Sequence, residues 1–408
     1  MSLVDISGHS LWVSSRALAL AGIDTSSVNP PGGIIERDAS GVPTGVLRES
    51  AAGLVRRIVP PATPEQTREA LRWALDQMVA QGITSITDAG VDGAGMQAYA
   101  ELADAGQLHM RVQACMMLRG AAFGRDNNGM PGYIVERQLY ARARFRPDCV
   151  KLALDGVPTD GHTAAMVEPY EHTEHLAEEA AKGLLMVPQA TLNAIVTDAD
   201  ARGLTVKLHA AGDGAVRAGL DAIAAARAAN GHSGLLHNVA HNSFVQLEDL
   251  ARARDIAATF EMSPYIWFPN PIIPDIVKAV GTERMERWIP VKGAIDAGAL
   301  VVPGSDWPVV PSFNPWAAIE TLVTRQMPGG GGDTLGAAER ITLQQAIDMF
   351  TINAARQLGH RDRLGTLEPG MLADLIVLDR NPFEISITDV HRTQVRMVVI
   401  EGEVVASD

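Results

Sequence analysis

Along most of the chain, short apolar runs alternate with stretches in which apolar residues recur every three to four positions, the pattern of strands alternating with amphipathic helices. Seven runs read as strands: ITSITDAG (83 to 90), HMRVQACMML (109 to 118), CVKLALDG (149 to 156), TVKLHAAGD (205 to 213), GLLHNVAHNS (234 to 243), AATFEMSP (257 to 264) and ALVVPGSDWP (299 to 308). Helical patterns fill the intervals, for instance at 95 to 105, 192 to 202, 215 to 229, 247 to 254 and 287 to 297. Such alternation predicts parallel βα units closing into a TIM (β/α)8-type barrel of the α/β class, with its first strand missing.

The flanks follow other patterns. GHSLWVSSRALALAG predicts a helix from Gly8 to about Gly22, capped by Ser14 or Ser15, and GGIIERDASGVPTGVLRES predicts a hairpin turning at DASG. Thr63 caps a long helix that ends at Gly82, with Ala70, Leu71, Ala74, Leu75 and Met78 on one face. The helix at 342 to 359 closes the barrel portion, and DLIVLD and VRMVVIEGEVV then predict strands of a small C-terminal β-sandwich portion. The division expected is 1–62 as an N-terminal insertion or lid, 63–357 as the barrel, and 358–408 as the sandwich strands.

Composition narrows the function classes. A chain of 408 residues with 47% hydrophobic content can bury a large core. Its formal net charge of -14 carries no basic footprint, so nucleic acid is not an expected partner. No apolar run is long enough to span a bilayer, and no basic region followed by an apolar one opens the chain, so no membrane partner and a cytoplasmic location are expected. Cys115 and Cys149, both in predicted strands, read as reduced core residues.

The candidate chemistry lies at strand ends. His209, His241 and Asp306 each fall near the C-terminal end of a predicted strand, where a barrel carries its catalytic groups, and Lys151 lies inside one. Taken alone, a strand lysine reads as structural, paired with a carboxylate at the barrel floor or placed at the strand's solvent end; the functional reading is that a lysine inside a barrel must be paired or lose its charge, and a carbamylated lysine becomes an anionic ligand able to bridge two metals. His237 shares a strand face with His241 and is kept as a supporting residue behind it. Asp155 and Asp213 follow turns and read as caps. His109, His172, His175, His232, His360 and His391 read as exposed or structural; the pair in HTEH has no third ligand nearby.

In this order KLALDG, HAAGDGAV, VAHNS, GSDWPV and the tail TINAARQLGHRDRLGTLEPGMLADLIVLDRNPF resemble the amidohydrolase superfamily, most closely its amidohydrolase family 3 branch. GHSLWVSSRALALAGI and DGVPTDGHTAAM resemble the same branch, so the likeness covers nearly the whole chain. The resemblance implies one or two divalent metals, usually zinc, that activate water to hydrolyse an amide or related C–N bond in a small N-acyl, N-formyl or cyclic amide compound. By position His209 and His241 match the metal histidines of the fifth and sixth strands, Asp306 the eighth-strand acid, and Lys151 the bridging lysine of the fourth. Asp306 is then both metal ligand and catalytic acid/base, taking a proton from water and passing it to the leaving nitrogen. His162, His9 and Trp307 fall on the substrate side, and loops 119–137 and 262–274 are expected to set substrate choice.

One departure stands out. Members carry an HxH pair at the end of the first strand, and no two histidines here are separated by one residue. The expectation is a member lacking its front, with weakened metal binding and doubtful activity, the gap being closed by a partner chain in a homodimer. The alternative reading is a catalytically inactive barrel that serves only as a folded binding or structural body.

Overall fold

The computed structural model describes residues 1–5, 8–118, 131–159, 161–267 and 272–407. Fourteen strands in three sheets organise them. The first sheet comprises β1 (Ser2–Val4), β2 (Ser10–Val13), β3 (Gly33–Arg37) and β4 (Pro43–Glu49), in the order β1-β2-β4-β3, antiparallel throughout. The expected hairpin is β3–β4. The helix expected from Gly8 is confined to Ser15–Ala21, capped by Ser14, because Ser10–Val13 alternates half-buried and exposed positions with the buried Leu11 and Val13 and adds a strand to the hairpin. This region closes its own core from Leu11, Val13, Leu18, Ile23, Ile35, Leu47, Ala51, Ala52 and Val55.

Helix Pro64–Ala80 starts at a capping box between Thr63 and Gln66, worth about 1 kcal/mol. Of its expected apolar face only Leu75 is fully buried, with Val79 beside it. The central sheet then follows: β5 (Ser85–Val91), β6 (Arg111–Met117), β7 (Phe145–Ala153), β8 (Thr205–Ala210), β9 (His237–His241), β10 (Ala258–Met262) and β11 (Leu300–Pro303). These seven strands lie side by side in chain order, every pair parallel, and curl as a partial TIM-type barrel. The middle strands are buried on both faces, β8 and β9 at every residue, whereas the edge strand β5 is mostly half-exposed. Among the described residues β5 and β11 do not pair with each other.

Cys115 and Cys149 are register partners on β6 and β7, and they are joined as a disulfide rather than reduced, because that register brings their Cα atoms to 4.2 Å. No helix among the described residues is long and apolar enough to cross a membrane. At the C-terminus β12 (Leu375–Leu378), β13 (Val395–Ile400) and β14 (Glu403–Ser407) form an antiparallel sheet. Arg111 at the start of β6 ties that sheet to the barrel through ion pairs with Asp374 and Glu401. The pairs lie at the barrel's N-terminal end, so the C-terminal strand ends stay available for chemistry.

Candidate active site

The register of the parallel sheet assembles the site. Ala153 pairs with His209 and Ala210 with His241, so the exits of β7, β8 and β9 are level. The rings of His209 and His241 lie 4.4 Å apart, centre to centre, both buried. His209 Nε2 bonds the Gly156 carbonyl at 2.9 Å; as the donor there it leaves Nδ1 with its lone pair. His241 Nδ1 faces Ser263 Oγ at 3.4 Å. Asn242, which follows it, donates to the carbonyls of Val239 and Glu261 and locks the turn.

Electrostatics keep both imidazoles neutral. Burial, reinforced by His241, His9 and Lys151, holds His209 well below its ordinary pKa, and burial with Lys151 and His9 does the same for His241. Two buried lysines share the interior, paired in register across β7 and β8. Lys207 bonds Glu261 at 2.5 Å, with room for that carboxylate provided by Gly304, where a Cβ would sit 2.5 Å from Glu261 Oε1. Lys151, by contrast, has no side-chain hydrogen bond or ion pair among the described residues. Burial, then Lys207, lower its pKa to about 8 against the pull of Asp306 and Glu261. Far more of it is therefore unprotonated amine near neutral pH than in an exposed lysine.

Asp306 lies half-buried in the turn after β11, close enough to act on both His9 and Lys151. His9 reaches the same place from the N-terminal sheet, its ring 5.0 Å from that of His209. Burial lowers its pKa, but Glu49, helped by Asp306 and Asp155, outweighs burial and leaves it raised. The structure thus brings together Lys151, His209, His241, Asp306 and His9. It places two other candidates differently. The ring of His162 stacks on Tyr170 at 4.4 Å, and Trp307 packs between Trp73 and Phe313, at 6.2 and 5.1 Å.

Backbone strain gathers at this end. Glu49, His162, His241, Asn242 and Asp306 all have positive φ, a conformation that non-glycine residues adopt only where their surroundings enforce it.

Two readings of the sequence change, and one residue of the site was missed. His237 does not stand behind His241: as the first residue of β9 it lies at the opposite end of the strand, where Nε2 donates to Asp200 at 2.9 Å and Nδ1 accepts from the Val206 amide. Asp155 is more than a cap. Fully buried, it accepts backbone N–H groups from Ala165, Ala211 and Gly212 and lies 3.5 Å from His209 Nε2, pinning the loops after β7 and β8 together. Burial pushes its carboxyl up to about 8 against those three donors. Glu49 carried no signal of its own, because its partners His9 and Thr163 are 40 and 114 residues away in sequence. Of the loops expected to set substrate choice, 119–130 and 268–271 lie outside the described residues.

The donor set fits a divalent ion in its chemistry: two neutral imidazoles, each with one ring nitrogen set by a neighbour, beside a lysine and an aspartate. Among the described residues no three His, Cys, Asp or Glu side chains converge closely enough to hold an ion by themselves, so a further donor such as a modified Lys151 is needed.

Comparison with known proteins agrees with this architecture. YtcJ of Bacillus subtilis (strain 168) is 28% identical over 97% of this chain and 72% of its own length. The protein LONG AFTER FAR-RED 3 of Arabidopsis thaliana is 28% identical over 94% of this chain and 65% of its own. An N-substituted formamide deformylase of Arthrobacter pascens is 26% identical over 98% of this chain and 72% of its own. The crystal structure of a metal-dependent hydrolase from Pyrococcus horikoshii OT3 superposes with a TM-score of 0.70 at 23% identity, covering 93% of this chain and 71% of that one, and shares its fold. A family model described as the amidohydrolase family matches residues 2–406, and the chain belongs to that family.

Proposed function

We propose that this chain carries the catalytic end of a hydrolase that cleaves the C–N bond of a small amide, of the N-acyl or N-formyl kind. The observation that carries the reading is the pair of neutral histidines, His209 and His241, side by side at level strand ends and facing an unpaired buried lysine. The formamide deformylase among the relatives supports the N-formyl class. His209 and His241 would hold a divalent ion, zinc being the metal this ligand chemistry favours, with Lys151 as carbamate and Asp306 as the remaining donors. Such an ion supplies Lewis acidity, making water nucleophilic near neutral pH and polarising the amide carbonyl.

The chain's own residues do the rest. Gly156 and Ser263 orient the two imidazoles, and Asp155 anchors the loops that carry the Gly156 carbonyl and the residues after His209. Lys207 is neutralised by Glu261, which leaves Lys151 as the lysine able to react with carbon dioxide. Asp306, at the mouth, accepts the proton of the attacking water and returns it to the leaving nitrogen. His162 and Trp307 belong to the surrounding wall, with Tyr170 and Phe313 as their supports. Hydrolysis of formanilide by the zinc-loaded chain, followed as aniline release, tests the reading. Turnover lost in Asp306→Asn is the expected result; no turnover by the unsubstituted, metal-loaded chain would count against it.

A further inference from the structure

Three aromatic rings from separate segments meet beside Asp306. Trp307 lies in the turn after β11 that carries Asp306, Phe313 follows in the same loop, and Trp73 comes from helix Pro64–Ala80. The rings of Trp73 and Trp307 lie 6.2 Å apart and are tilted by 36°, and Phe313 meets Trp307 edge to face at 5.1 Å. Each member is held from behind by the backbone. The Ser305 hydroxyl accepts the Trp307 amide at 3.2 Å, the Asp306 carbonyl accepts the Val309 amide at 2.8 Å, and the buried Tyr265 donates its hydroxyl to the Phe313 carbonyl at 3.1 Å. The same turn rests on the N-terminal sheet next to His9, since a Cβ on Gly8 would lie 3.7 Å from Val309 Cγ2. The rings are therefore tied to the segment that brings Asp306 to the site.

Packing of the chain does not consume this aromatic surface. Trp73 stays 56% exposed although it reaches Trp307, and Trp307 and Phe313 are only half-buried. Neither the Trp73 nor the Trp307 indole N–H has a hydrogen-bond partner among the described residues. Tilted as they are, the two indoles do not close face to face, and aromatic rings accept a further ring at a centre-to-centre spacing of about 4.5–7 Å. We propose that this wall binds an aromatic ring carried on the amide nitrogen of the substrate, which makes N-aryl amides the preferred class and Trp73 a specificity-determining residue. This rests on the hydrolase reading above, in which Asp306 serves the leaving nitrogen. Trp307 follows Asp306 directly, about 3.8 Å away between Cα atoms, so a substituent on that nitrogen is the part of the substrate nearest the wall. The ring takes no part in bond cleavage, so the wall holds it equally in ground state and transition state, lowering KM and leaving kcat alone.

The test compares Trp73→Ala and Trp73→Phe with the unsubstituted, zinc-loaded chain on formanilide and on N-methylformamide, which lacks the ring, with formate release as the readout. Trp73→Ala should lower the ratio of kcat/KM for formanilide to that for N-methylformamide by about 10-fold, through KM, and Trp73→Phe should recover most of it. An unchanged ratio, or a loss that falls equally on both substrates, overturns the proposal. N-methylbenzamide, whose ring sits on the acyl side, checks the direction: a loss in Trp73→Ala as large as that on formanilide overturns the placement on nitrogen. A second readout needs no turnover. The indole 1H–15N signals of Trp73 and Trp307, identified by their absence from Trp73→Phe and Trp307→Phe, are followed as aniline is added. Both should shift, and an unmoved Trp73 signal overturns the wall as an aryl site. If the unsubstituted chain does not turn over formanilide, the hydrolase reading fails, and the aniline titration alone decides whether the wall takes a ring.

Discussion

Gly156→Ala is the substitution with the most to say about how the N-terminal sheet and the barrel are joined. The new methyl would lie 2.1 Å from Glu49 Oε1, 2.2 Å from Thr163 Oγ1 and 2.6 Å from Thr163 Cβ. Neither side chain can retreat without loss. Glu49 is held at His9 and Thr163, and Thr163 Oγ1 also accepts the Val157 amide at 3.0 Å. Overpacking a filled site costs roughly 1–3 kcal/mol. Breaking a buried hydrogen bond to a charged group costs roughly 1.5–3 kcal/mol more, so the sum is about 2.5–6 kcal/mol. An unfolding entropy of about 2.1 cal/mol/K per residue over 408 residues converts this to a fall in Tm of about 3–7 °C. Gly53→Ala is the control, because Gly53 lies in a helix at φ -58 with nothing within 4 Å of a Cβ. The assay is thermal unfolding of both variants by circular dichroism, with Glu49→Ala/Gly156→Ala as a relief test in which removing the carboxylate recovers part of the loss. If Gly156→Ala unfolds together with Gly53→Ala, the close approach of the two units at this glycine is refuted.

Three further outcomes follow from named groups. His237 is fully buried, and burial, then Arg227, lower its pKa to about 4 against Asp200, below the ordinary 6.5. The unfolded chain therefore binds its proton first: this contribution is whole above pH about 6.5 and is lost as pH falls towards 4, a loss of about 3 kcal/mol. Urea unfolding across that window should show the slope, and His237→Gln should flatten it. Incubation with 13C-bicarbonate should give a carbamate carbon signal that Lys151→Met lacks; a signal kept in that variant would place the modification elsewhere. Asp306→Asn should lower kcat on formanilide by about 100-fold or more, with the circular dichroism spectrum unchanged.

Much of the fold was legible because the strands of a parallel sheet are buried on both faces and read as apolar runs. All seven such runs are the seven strands of the central sheet. β2 was missed because LWVSSRALALAG is apolar at both helical and alternating spacings, and its strand state depends on pairing with β4, some 36 residues on. The convergence of His209 and His241 followed from their positions at strand exits, since neighbouring parallel strands end level. What the sequence did not disclose are contacts made across units. Glu49 looks like an ordinary hairpin residue until the sheet docks, and Asp155 looks like a turn cap until three segments donate to it. His237 misled because i,i+4 spacing in a strand places residues on one face at opposite ends of it, not side by side as on a helix.

The central claim is that His209 and His241, with Lys151 and Asp306, hold a catalytic divalent ion. Elemental analysis of the chain purified without chelator and incubated with zinc tests it most directly, alongside His209→Ala/His241→Ala treated identically. The account predicts about one or two tightly held equivalents in the unsubstituted chain and their loss in the variant. A folded chain that retains no metal, or a variant that retains as much, would contradict it.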